Sequence, residues 1–101
     1  MALFFALHTP IGDPVAGLEF FGKVAPPLAV SMEAGRTPAK AITTWNPFAY
    51  GRPDYVFCLW EAANAEDVMT VLRESGLAEI VTTDLMQVDA IDWKELARAA
   101  Q

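Results

Sequence analysis

Between Tyr55 and Glu61 the chain reads Tyr-Val-Phe-Cys-Leu-Trp-Glu, and this run limits the fold more than any other. On a strand, side chains alternate between two faces. Tyr55, Phe57 and Leu59 therefore point one way and Val56, Cys58 and Trp60 the other. Both sets are apolar, so both faces of the sheet that holds this strand have to be shielded from water. The apolar content is 53%, yet no run approaches the ~20 residues that a membrane-spanning helix needs. The excess has to be absorbed by a core or an interface.

The rest of the chain supplies elements to build around that strand. Leu3 to His8 is aromatic-rich and runs into Thr9-Pro10-Ile11-Gly12, a turn-forming cluster, which predicts a first strand ending at His8. Asp13-Pro14 is an N-cap followed by proline at the first helical position, where the missing N–H costs nothing. Leu18, Phe21, Val24 and Ala25 keep helical spacing until Pro26-Pro27, which is expected to end or kink the helix, with a second helical piece over 28–33. Ala39 to Trp45, with Ile42, Thr43, Thr44 and Trp45, favours a second strand. Residues 46–54 are dense in turn formers and read as a long loop before the Tyr55 to Glu61 strand. Asn64 caps the next helix, Val68, Val71 and Leu72 form its apolar stripe, and Gly76 closes it, with Leu77 placed for the accompanying apolar contact. Ile80 to Val88 predicts a fourth strand, with Ile80, Thr82, Asp84, Met86 and Val88 on one side and Val81, Thr83, Leu85 and Gln87 on the other. A last short helix begins near Asp92, with Trp93, Leu96 and Ala100 on its apolar side.

The order is β-α-β-β-α-β plus a C-terminal helix, over one domain spanning residues 1–101. It predicts an α+β, ferredoxin-like fold with an antiparallel four-stranded sheet. Two helices cover one face of such a sheet. The other face would lie in water in a lone chain, and pairing sheet against sheet with a second copy buries it most simply.

The stretches Leu3-Phe4-Phe5-Ala6-Leu7-His8, Val56-Phe57-Cys58-Leu59-Trp60-Glu61-Ala62 and Ala65-Glu66-Asp67-Val68, with this element order, resemble the dimeric α/β-barrel superfamily. Within it they are similar to small bacterial members related to a nickel-binding branch. In that branch a histidine ends the first strand, as His8 does, and a second sits in the second helix, where this chain has Leu72 or a neighbour and no other histidine anywhere. The superfamily also holds cofactor-free monooxygenases, polyketide cyclases, isomerases and haem-handling enzymes, so the resemblance selects no single reaction.

Charge narrows the partners. Seven basic residues stand singly against thirteen acidic ones, for a net charge of −6, and the basic footprint that nucleic acid or an anionic membrane surface attracts is missing. Cys58 is the one cysteine, so the chain has neither an intrachain disulfide nor paired thiolates for a metal. Together with an N-terminal run that lacks a basic leader, this predicts a cytoplasmic protein.

Candidate functional residues are few, and each has a plainer reading beside it. His8 is the only side chain that ordinarily titrates near neutrality and can act as a general acid or base, or can serve as a hydrogen-bonded structural residue. Asp84, in an otherwise strand-like run, is either a desolvated second catalytic group or a solvated carboxylate at a sheet edge. Trp45, Trp60 and Tyr55 with Phe57 either wall a pocket for a flat ligand or fill a core and interface. Phe48 and Tyr50, in a loop bracketed by prolines, act as a lid over such a pocket or as an arm toward a partner. Cys58 reads as an inert buried thiol. The leading expectation is a homodimer with a small apolar pocket in each protomer for a planar or polyketide-like molecule. If catalytic, it performs cofactor-free proton transfer through His8 and Asp84, with Trp45, Tyr50, Trp60 and Phe48 lining the pocket. The alternatives are a metal-binding stress protein joining His8 to carboxylates such as Glu61 or Asp84, and a non-catalytic interaction module.

Overall fold

A computed structural model describes all residues from Met1 to Gln101. The elements are β1 (Ala2–Pro10), α1 (Pro14–Glu33), β2 (Ala39–Trp45), β3 (Val56–Ala62), α2 (Ala65–Glu74), β4 (Val81–Val88) and α3 (Trp93–Ala99). Short 3₁₀ turns at Phe48–Tyr50 and Leu77–Glu79 interrupt the connections. All strand pairs are antiparallel, in the order β2-β3-β1-β4. This is the ferredoxin-like α+β fold with an additional C-terminal helix.

Each helix starts where a side-chain cap permits it. Asp13 accepts from the Val15 N–H at 3.0 Å, Asn64 from Asp67 at 2.9 Å and Asp92 from Lys94 at 2.8 Å, which satisfies amides that have no partner within the helix.

Two local expectations need correction. β1 does not stop at His8 but continues through Thr9 and Pro10, which pair with Thr82 and Val81 of β4. Pairing with β3 ends at His8 and Val56, so Pro10 has a strand on one side only, where a missing N–H is tolerated. The second correction concerns α1, which is one helix of 20 residues with Pro26 and Pro27 inside it rather than two pieces.

Strand parity sorts the sheet into two faces. Phe4, Ala6 and His8 of β1 join Cys58, Trp60 and Ala62 of β3 beneath the helices, and all six are buried. Leu3, Phe5, Leu7, Phe57 and Leu59 occupy the other face, where no helix lies and each stays partly accessible. The Phe5 and Phe57 rings meet there at 5.9 Å between centroids.

The two helices cover their face unequally. α2 buries Val68, Val71 and Leu72, whereas α1, twice as long, buries none of its residues. Only 11 of 101 residues are buried in all. Residues 89–101, including α3, are exposed throughout. The radius of gyration of 14.7 Å exceeds the about 13 Å usual for this length, so the chain does not gather all of its apolar surface onto itself. No helix is long and apolar enough to cross a membrane.

α1 and α2 meet at Gly76, whose φ of +84° is a left-handed conformation, and a Cβ built there would lie 3.2 Å from the Phe20 ring. Gly76→Ala is therefore expected to lower stability by about 1–2 kcal/mol through the left-handed backbone alone. Urea denaturation should show this as a lower midpoint with an unchanged slope.

Candidate functional site

Where α1 stands off from the sheet, a cavity of about 260 Å³ remains between them. β1 supplies His8 to its wall, α1 supplies Phe21 and Met32, the β2–β3 loop supplies Phe48, and β3 supplies Cys58 and Trp60. Of the 25 residues lining it, none is Lys, Arg, Asp or Glu.

His8 is the most perturbed group at this wall. It is 4% exposed, and its Nδ1 lies 2.8 Å from Thr83 Oγ1, the residue directly across from it on β4. Loss of hydration with no compensating carboxylate pushes its pKa down to about 4. At neutral pH the ring is uncharged. The Thr83 hydroxyl is the one protein partner of the imidazole, and Nε2 remains unpaired without being sealed from the cavity.

Deeper along the same wall lie two more polar atoms. The Cys58 thiol is buried, which raises its pKa, and a hydrogen-bonding contact of 3.1 Å with Thr44 Oγ1 opposes that rise. The buried indole N–H of Trp60 meets no acceptor at hydrogen-bonding geometry. The Cys58 sulfur is near enough to it to ease thiolate formation slightly, and a thiol is a weak acceptor in any case.

The structure divides the residues singled out from the sequence. His8, Trp60 and Phe48 line the cavity together. Asp84 does not join them: it pairs with Leu7, on the uncovered face of the sheet, and is exposed. The β4 residue that reaches His8 is its neighbour Thr83, which the sequence reading passed over because a threonine in a strand gives no signal until the register is known.

Trp45 is also absent from the cavity. In an unbroken β2 it would share a face with Ala39 and Ala41, but a register shift between Ala41 and Thr43 adds one residue. A bulge of this kind exchanges the faces of everything beyond it. Thr44 thus comes opposite Cys58, and Trp45 comes opposite Phe57 on the uncovered side, where it is 48% exposed. Phe48 and Tyr50 lie two positions apart in a 3₁₀ turn, which with three residues per turn sends them in different directions. Phe48 turns inward and Tyr50 is 88% exposed.

No three side chains among His, Cys, Asp and Glu converge anywhere in the chain. Glu61 pairs with Leu3 and Lys40, on the opposite face from His8, as Asp84 does. The carboxylates considered for a metal site with His8 are thus separated from it by the sheet.

The sequence matches no protein-family model and no curated protein. Among solved structures it is similar to SnoaB, a cofactor-independent oxygenase from Streptomyces nogalater. Two crystal structures of that protein, one of them a point mutant, each align over 90% of this chain and 93% of theirs, with 13% identity and a TM-score of 0.50. At that identity the likeness is one of fold.

The burial of His8 makes stability depend on pH in a definite direction. Its folded pKa of about 4 lies below the ordinary 6.5, so between those values the unfolded chain binds a proton that the folded chain refuses. Stability is then present above pH 6.5 and falls with acidification toward pH 4, by roughly 3 kcal/mol from this group. His8→Gln, which does not titrate, is expected to flatten that segment of the profile relative to the parent in urea titrations from pH 4 to 7.

Proposed function

We propose that this chain is a homodimeric, cofactor-free enzyme that takes a small planar, uncharged molecule into the cavity beneath α1 and moves a proton at it through His8. One observation carries this reading: a neutral imidazole stands at the wall of an apolar cavity that has no charged side chain.

Size and polarity define the ligand. An apolar cavity of about 150 Å³ holds benzene, so the 260 Å³ here suits about ten non-hydrogen atoms by the same proportion, or two fused rings. A carboxylate or ammonium group would enter without a counter-charge, at a cost of several kcal/mol. An enolisable ketone or a phenol is uncharged and offers an acidic hydrogen.

The chemistry follows from the tautomer. In the tautomer whose Nδ1–H donates to Thr83 Oγ1, across the 2.8 Å contact, the Nε2 lone pair is free to accept the substrate proton. The imidazolium and the delocalised carbanion then form an ion pair in a medium that strengthens their attraction. Return of the proton at another carbon gives isomerisation. Alternatively the carbanion delivers its electrons to dioxygen, one oxygen atom staying on the substrate as a carbonyl and the other leaving as water, which balances without an external reductant. The second course agrees with the activity named for SnoaB.

The uncovered sheet face supports assembly with a second copy. Leu3, Phe5, Leu7, Phe57 and Leu59 fill its centre, with Glu61 toward the end of β3 and Thr82 and Asp84 on the β4 edge, the apolar-centre and polar-rim pattern of protein interfaces.

Two measurements test the proposal. Deuterium uptake from D₂O at the activated carbon of 2-tetralone, followed by NMR, is expected to be accelerated by the protein and reduced about 100-fold or more in His8→Gln. Equal rates in the two proteins would remove His8 as the base. Sedimentation velocity at micromolar concentration is expected to give a particle of twice the 11.0 kDa chain mass, and Leu59→Lys to give single chains. A parent protein that sediments as a monomer would overturn the assembly.

A further inference from the structure

We propose that the N-terminal half of α1, residues 14–25, is the gate of the cavity and swings on the Pro26–Pro27 seam. The inference concerns access and holds whatever molecule the cavity takes.

The seam is built into the covalent structure. Pro26 and Pro27 have no N–H, so the carbonyls of Gly22 and Lys23 lose their partners one turn ahead, at adjacent positions of one helix. Kinks concentrate at such sites. On either side of the seam the helix is held differently.

Its C-terminal end is tied down. The Ala41 N–H of β2 donates to Met32 Sδ at 3.2 Å, and the neighbouring Lys40 pairs with Glu33 at 3.1 Å on the surface. The N-terminal half has no hydrogen bond or ion pair to any other element beyond its own cap. It rests on van der Waals contact alone, with Gly17 over Ile80, the Phe20 ring against Gly76, and Phe21 and Val24 packed, partly buried, against the core.

That half also forms the larger part of the cavity's roof, which Leu28 and Met32 of the tied half complete. Gly17, Leu18, Phe21 and Ala25 line it from above, while Pro10, Asn46, Phe48 and Pro53 line the end of the sheet toward which the half-helix points. A swing of about 20° on a lever of about 18 Å displaces Pro14 by roughly 6 Å, enough to pass an aromatic ring edge-on. Gly12, at φ +75° with open space around its Cα, provides the second pivot between β1 and the helix. α2 is immobile by comparison, since Val68, Val71 and Leu72 are buried.

Cys58 reports on the gate without any ligand. It is buried at the cavity wall, so alkylation by iodoacetamide at pH 9, read by mass spectrometry on the Cys58 peptide, measures how often the cavity opens. A Cβ at position 17 would lie 3.9 Å from the Ile80 Cβ, within the range of disulfides. In the Gly17→Cys/Ile80→Cys protein, oxidation is expected to slow alkylation of Cys58 at least tenfold relative to the parent, and dithiothreitol to reverse it. Pro26→Ala/Pro27→Ala, which restores both helical hydrogen bonds without a cross-link, is expected to slow it at least threefold.

Labelling of Cys58 that is unchanged by the cross-link or by the alanine pair would overturn the gate. So would a labelling rate that rises with urea as steeply as global unfolding does. Because no ligand is present, failure here leaves the tetralone exchange untouched, and failure of that exchange leaves the gate untouched.

Discussion

A sheet that is apolar on both sides must be kept from water twice over, and this chain has helices for one side. β1 and β3 are paired from Ala2 with Ala62 to His8 with Val56, and along that length each sends apolar side chains in both directions. The helices lie over Phe4, Ala6, Cys58 and Trp60, leaving Phe5, Leu7, Phe57 and Leu59 open. At ~25 cal/mol per Å² of apolar surface, leaving these partly accessible side chains wet forgoes roughly a few kcal/mol of stabilisation, a sizeable share of what a small domain has. The same shortage of cover recurs within the protected side, where α2 seals its part of the sheet and α1 does not. Cavity and open face thus have one origin, too little helix surface for the sheet.

Most of the fold was legible because it depends on short-range signals that a single sequence carries. Capping residues at Asp13, Asn64 and Asp92 mark the helix starts, and the stripe of Val68, Val71 and Leu72 marks the face of α2 that is buried. Parity sorted the residues of β3, and those of β4 from Val81 onward, correctly, but Ile80, expected on the Asp84 side of that strand, caps the turn before it and lines the cavity. What failed were the features set by neighbours in space. Pro10 stays in a strand since β3 has already ended beside it, and Pro26-Pro27 stay in a helix since the gap left by two missing hydrogen bonds opens on the solvent side, where both prolines are exposed. A local rule cannot know which side of a strand or helix is occupied.

The site was legible in proportion to how far each residue depends on register. His8 and Trp60 lie on regular strands and fall where alternation puts them. Trp45 lies beyond the bulge at Ala41/Thr43 and is turned to the opposite face, while Thr44 inherits the place against Cys58. Thr83 and Asp84 differ by one position in β4, and only the pairing of β4 with β1 decides which of them meets His8. Titratable character drew notice to Asp84, but the threonine holds the imidazole.

The uncharged wall then ties stability to chemistry through one cause. A carboxylate beside His8 would raise its pKa, make it a stronger base and remove the acid sensitivity, and it would also leave a charge for every ligand to confront. Without one, the ring is neutral throughout the physiological range, and it is a weak base toward an ordinary acid in water. On the proposed reading it becomes an effective one only when the proton it takes leaves behind a delocalised anion a few ångströms away in the same apolar space, since each charge then stabilises the other. Water in the cavity would solvate both ions separately and dissolve that advantage. On that reading the roof has to close during reaction and open between turnovers, a demand that a helix packed as tightly as α2 fails and a helix held at one end by Met32 and Glu33 can meet.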